Sequence, residues 1–113
     1  MGSLENKRCI PCEGGVTPID KATAQDMLID IPGWQLEADG TIISREFSFK
    51  GFLSTMNFVN AVAWVAQQQM HHPYMKVGYN YCHISFSTHA IDGLSENDFI
   101  CAAKINQLLE QDA

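Results

Sequence analysis

The chain has 113 residues and 12.6 kDa, of which 46% are apolar and 18% charged. That is the size and composition of one globular domain, and it excludes a disordered, collagen-like or coiled-coil chain. Seven Lys and Arg against thirteen Asp and Glu give a net charge of −6, which repels phosphate backbones and argues against direct binding of nucleic acid or anionic membrane.

Residues 1–18 are rich in Gly, Pro and Cys and carry no hydrophobic period, so they read as a flexible N-terminal arm ahead of a single domain spanning 19–113. Within the arm, Cys9-Ile10-Pro11-Cys12 has the CxxC spacing of a redox pair or half a zinc knuckle. No second CxxC and no HxxxH follows it, so an exposed loop is the plainer reading. Residues 1–8 hold no apolar core of a signal peptide, and no apolar run approaches the roughly 20 residues of a membrane span. A cytoplasmic protein is expected, or one of an organelle stroma if a transit peptide has been removed.

A short helix follows, capped by Asp20 or Thr23, with Ala24, Met27, Leu28 and Ile31 as its apolar stripe and Pro32-Gly33 as its stop. Trp34–Ala38 and Ile42–Phe49 read as strands of a hairpin joined by Asp39-Gly40. Gly51–Met70 is free of proline and predicts a helix of about five turns. Its apolar residues make two stripes: Phe52, Met56, Val59, Ala63 and Ala66, and beside them Phe58, Val62 and Val65. That is wider than a surface helix needs, and favours a helix that also buries a face against another subunit. A second pair of strands is expected over Val77–Thr88 around Gly78, with Cys82, Ile84, Phe86 and Thr88 on one face. Ser95 caps a last helix, with Asp98 where a capping box more often has Glu or Gln. The order α-β-β-α-β-β-α predicts an α+β two-layer sandwich, a four-stranded antiparallel sheet with three helices on one face.

Chemistry concentrates in the histidines. His71-His72-Pro73 ends the long helix, and His89 follows within Ser87-Thr88-His89. Pro73 disfavours the α conformation at His72, which turns the two adjacent rings apart. Three imidazoles in one cleft can supply both a proton donor and an acceptor near neutral pH. The plainer reading is solvated histidines at a helix end and a strand end. A three-histidine zinc site on His71, His72 and His89 is geometrically awkward, because zinc ligands on one segment are usually spaced. Trp34, Trp64, Tyr74, Tyr79 and Tyr81 fit core or interface positions better than a stacking site. His83 carries no special reading.

The segment Gln67-x-x-x-His71-His72-Pro73-x5-Tyr79-x9-His89-x8-Asp98 resembles the signature of the pterin-4a-carbinolamine dehydratases. Pro32-Gly33-Trp34, Phe47-x-Phe49-Lys50-x-Phe52 and Gly93-Leu94-Ser95-Glu96-Asn97-Asp98 are similar too, and the Cys-x-Pro-Cys-Glu-Gly-Gly arm is similar to the start of many bacterial and plant members. The resemblance implies a hydro-lyase that dehydrates 4a-hydroxytetrahydropterin to quinonoid dihydropterin and so recycles the cofactor of aromatic amino-acid hydroxylases. It also implies a homodimer or homotetramer, and no metal or other cofactor. By position, His71 and His89 become the acid/base pair and His72 orients the pterin, with Gln67, Pro73, Ser87 and Thr88 as further substrate-binding positions. The 4a-hydroxyl needs a proton to leave as water and N5 must lose one, which suits two imidazoles.

Gln67 departs from the family's usual acidic residue. If it neighbours His71 across one helical turn, a neutral amide there leaves His71 less easily protonated than in a Glu-bearing relative. Met70 and Met75 stand where some relatives carry Asp and Trp. Two other roles remain open: a binding module, since animal members also act as dimerisation cofactors of a homeodomain transcription factor, and a drifted role in molybdopterin-related metabolism.

Overall fold

The computed structural model describes residues 3–11 and 14–110; Cys12, the second cysteine of the CxxC motif, lies outside them. Asp20 accepts the Thr23 backbone N–H at 2.7 Å and caps α1 (Lys21–Met27), which tightens into a 3-10 turn over Leu28–Asp30. The chain then reverses at Gly33, where φ is +92° and a Cβ would stand 2.6 Å from the Arg45 guanidinium. The positive φ favours glycine, and its missing Cβ leaves the space the guanidinium occupies.

β1 (Gln35–Glu37) and β2 (Ile42–Ser48) form the first antiparallel hairpin. Its turn is longer than the Asp-Gly pair suggests: Ala38, Asp39 and Gly40 all have positive φ, at 50°, 57° and 87°. After α2 (Phe52–Gln69) come β3 (Tyr74–Val77) and β4 (Tyr81–Phe86). β3 begins directly after Pro73, three residues earlier than the expected start at Val77, because the proline already sets the chain extended. α3 (Glu96–Glu110) closes the order. The four strands are antiparallel in the order β1-β2-β4-β3, and the fold is the α+β architecture expected.

Register explains the uneven alternation of β2. Ile43 faces Phe86, Arg45 faces Ile84 and Phe47 faces Cys82, so Arg45 shares the inner face with buried neighbours. Its stem crosses that face and its guanidinium lies 4.5 Å from the Phe47 ring centre. The charge escapes at the rim to Asn106 Oδ1 at 2.7 Å and the Pro32 carbonyl at 3.0 Å. Cys82, Ile84 and Phe86 of β4 are buried under Phe58 and Val62 of α2 and Phe99, Ala102 and Ile105 of α3, and Ala24 and Ile31 from the α1 region join the same core. Burying a side chain such as Phe86 stabilises by about 1.5–3 kcal/mol.

α2 buries Thr55, Phe58, Val62 and Ala66. The first stripe is split: Phe52 and Ala63 are exposed, with Leu53 and Trp64 beside them, while Met56 and Val59 are half-buried and Ala66 is buried. The helix is thus apolar on a second face that the described residues do not cover. No helix among the described residues is long and apolar enough to cross a membrane.

The described part of the arm is docked, which the absence of periodicity did not suggest. Lys104 of α3 donates to the Glu5 carbonyl at 2.8 Å. Asn97 holds Ile10 from both sides, accepting its N–H at 2.9 Å and donating to its carbonyl at 2.6 Å. Cys9 N–H reaches Gln69 Oε1 at 2.8 Å. Side-chain clamps of this kind leave no hydrophobic pattern in a sequence.

Candidate active site

α2 ends at Met70, which adopts the left-handed conformation at φ 53°. Met70 N–H then bonds back to Gln67 and His71 N–H to Ala66, closing the C-terminal turn. This reversal throws His71 and His72 off the helix toward the end of β4, where Ser87, Thr88 and His89 leave the sheet. Thr88 and Gly93 pair as an isolated antiparallel bridge, which returns the chain to the start of α3.

At that start sits Asp98, fully buried. One carboxylate oxygen takes His71 Nε2 at 2.6 Å. The other accepts the Ser95 backbone N–H at 2.9 Å and the Thr88 hydroxyl at 2.8 Å. Thr88 has a single proton and gives it to Asp98, so its 2.7 Å contact with Ser95 Oγ is one it accepts. The first turn of α3 adds its N-terminal dipole to this stabilisation of a buried carboxylate. His71 is 13% exposed in its side chain and stacks on Phe86, ring centres 5.7 Å apart and planes 7° from parallel. With Nε2 as the donor to Asp98, Nδ1 is its remaining basic nitrogen. Burial pushes the His71 pKa down, but the hydrogen bond and charge of Asp98 outweigh it and, helped by the Cys9 thiol group, raise it above the ordinary 6.5.

His71, His72 and His89 line one cavity of about 440 Å³, together with Ser87 and Thr88. A second hollow of about 210 Å³ opens between His72, His89 and Tyr74. The topology therefore gathers all three histidines at one mouth, although 18 positions separate the first from the last. Among the described residues no three His, Cys, Asp or Glu side chains converge as a metal-ligand set.

The other expected site residues divide. Ser87 lines both hollows, while the Thr88 hydroxyl is committed to Asp98 and Ser95. Pro73 lines neither hollow and instead sets the start of β3. Gln67 is exposed, and its Oε1 lies 3.3 Å from Nε2 of His72, not beside His71. The expected Gln67–His71 neighbourhood fails because the helix stops at Gln69 and Met70 reverses the chain. So His71 does not lack a carboxylate: Asp98, 27 positions away, supplies it.

The family model described as Pterin 4 alpha carbinolamine dehydratase matches residues 17–108. The chain belongs to the pterin-4a-carbinolamine dehydratase family. The family is one of hydro-lyases. A Nitrosomonas eutropha protein with the name "Putative pterin-4-alpha-carbinolamine dehydratase" is 59% identical over 107 residues, covering 94% of this chain and 93% of the relative. Its namesake in Nitrosomonas europaea is 54% identical over 108 residues, with 95% of this chain and 94% of the relative covered. A solved structure described as a transcriptional coactivator/pterin dehydratase from Brucella melitensis superposes with a TM-score of 0.77 at 28% identity, covering 81% of this chain and 98% of that one.

In a dehydratase of this family Asp98 is the residue that sequence reasoning undervalued. It stands both in the signature and in the capping position after Ser95, but neither place marks it as the partner of His71. Asn97 and the arm residues Cys9–Pro11, which also line the cavity, are likewise not marked as site residues by the sequence.

Proposed function

We propose that the chain dehydrates 4a-hydroxytetrahydropterin to quinonoid dihydropterin by histidine acid/base catalysis, recycling the pterin cofactor of aromatic amino-acid hydroxylases. The observation that carries this reading is His71 bonded to a buried Asp98 at the rim of a cavity that His72 and His89 also line. His71, kept protonated to higher pH by the carboxylate behind it, gives the Nδ1 proton to the 4a-hydroxyl, which leaves as water. His89, exposed at the mouth, takes the N5 proton as the C4a–N5 double bond forms. His72 orients the ring, with Gln67 holding its imidazole, and Ser87 offers a hydroxyl to the polar edge of the pterin. Thr88 acts through Asp98 and not on substrate. Afterwards His71 regains a proton from water and His89 loses one to it.

The reading extends to assembly and location. The exposed apolar face of α2, with Phe52, Leu53 and Trp64, suits a homodimer or homotetramer working in the cytoplasm on a small-molecule substrate, without nucleic-acid contact. The pterin-binding domain is 19–113, with residues 1–18 as an accessory arm.

The decisive assay follows the decay of enzymatically generated 4a-hydroxytetrahydropterin with and without the protein. Wild type should accelerate dehydration, and His71→Ala and His89→Ala should each lose roughly 10²–10⁴-fold in kcat, the usual worth of a placed acid or base. No acceleration by wild type rejects the enzyme reading; full activity in His71→Ala rejects the assigned acid.

A further inference from the structure

Cys9 and Cys101 lie 92 positions apart in the chain, yet their sulfurs are 3.6 Å apart. We propose that this pair is a reversible modification site, oxidising to a disulfide that bolts the arm to α3 at the rim of the histidine cavity.

The geometry comes from the arm. Asn97 grips the backbone of Ile10 on both sides, and Gln69 holds Cys9 N–H. The backbone around Cys9 is thus positioned without help from sulfur. Bond formation asks only that the two sulfurs close by about 1.5 Å through side-chain rotation, given an S–S length near 2.05 Å. Access is equally defined. Cys101 is fully buried in α3, whereas Cys9 is half-buried and lines the cavity. An oxidant entering the cavity meets Cys9 first, and Cys101 is the thiol waiting behind it.

The electrostatics fit the same order. Cys9 is held below the ordinary thiol range, first because the Cys101 thiol donates to it, then through His71 and Lys104, against burial and Asp98. The same contact, with burial, pushes Cys101 up. Cys9 Sγ also lies 3.6 Å from the Asn97 carbonyl, to which it donates its own proton. Cys9 is the thiol that gives up its proton more readily and so supplies the attacking thiolate, while Cys101 keeps its proton. The oxidant class is a hydroperoxide. The Cys9 thiolate attacks one peroxide oxygen, the O–O bond breaks, and Cys9 becomes a sulfenic acid as hydroxide leaves. Cys101 then gives up its proton and attacks the Cys9 sulfur, expelling the sulfenic oxygen as water. With hydrogen peroxide, two thiols and one peroxide become one disulfide and two waters, and a dithiol reductant reverses the change.

The CxxC spacing offers a rival product, Cys9–Cys12, so the test must separate the two. Native protein is treated with stoichiometric hydrogen peroxide, free thiols are blocked, and the chain is cut after Lys, Arg and Glu. The expected product joins the peptide 9–13 to the peptide 97–104, in wild type and equally in Cys12→Ser, and is lost on dithiol treatment and absent in Cys101→Ser. Oxidised protein should also melt about 5 °C or more above the reduced form, because the bond closes a long loop of the unfolded chain. A peptide 9–13 carrying its own internal disulfide, thiols that stay blockable, or oxidation of Cys9 to the sulfinic acid without cross-linking would each overturn the proposal. None of these readings depends on dehydratase activity.

Discussion

Asp98→Asn removes one charge from the buried site and almost no volume. In wild type one Asp98 oxygen accepts from Thr88 and Ser95, at 2.8 and 2.9 Å, and the other faces His71 at 2.6 Å. An asparagine must keep its carbonyl toward the two fixed donors, which points its amide group at His71 Nε2. That nitrogen must then accept, so the proton moves to Nδ1 and the neutral tautomer becomes the stable form. Burial, which lowers the His71 pKa, is then opposed only by Cys9, the smallest of the raising causes. Each unit by which the pKa falls removes tenfold of the protonated acid at a pH above it. With the carboxylate's support gone, a loss of about 10–100-fold in kcat is expected at pH 8, shrinking as the pH is lowered toward 6. The assay is initial-rate dehydration of 4a-hydroxytetrahydropterin across pH 5.5–9, with circular dichroism to confirm folding. If the folded variant keeps the wild-type pH profile, Asp98 does not control the acid and the reasoning fails.

Further outcomes follow from the same contacts. Because the folded pKa of His71 is raised, the ion pair's stabilisation is fully present below 6.5 and is lost as the pH rises through the folded value. The urea-measured stability advantage of wild type over Asp98→Asn should therefore shrink in that window, by at most about 1.4 kcal/mol per pH unit. Met70→Gly should raise the thermal midpoint by about 2–5 °C, since φ of 53° costs a methionine but not a glycine; a lowered midpoint would mean the Met70 side chain itself stabilises the turn. Gln67→Glu should change KM through His72 and leave the His71-dependent limb of the pH profile in place. Asn97→Ala frees Ile10 from both of its bonds, and a several-fold rise in KM with kcat nearly constant is expected if the arm forms a wall of the pterin cavity.

The order and type of the elements were legible because each is encoded locally. Asp20 before α1, the proline-free apolar run of α2, the alternation of Cys82, Ile84 and Phe86, and Ser95 before α3 are all short-range signals. Arg45 blurred the pattern of β2 because a long side chain can occupy an inward position and still deliver its charge to the rim. The histidine motif with its spacing was also enough to mark the family. What the sequence could not order were the contacts across space. Helical spacing pointed to Gln67 as the partner of His71, but one left-handed residue at Met70 cancels that spacing and hands His71 to Asp98. The arm carries no periodicity because hydrogen bonds to Asn97, Gln69 and Lys104 and the isolated packing of Leu4 and Cys9 hold it, rather than a regular buried stripe. Short-range chemistry determined the helices, strands and caps of this chain, and with them its family. Tertiary structure decided which carboxylate charges the histidine and which cysteine faces which, because those interactions act between atoms brought together only after the chain has closed on itself.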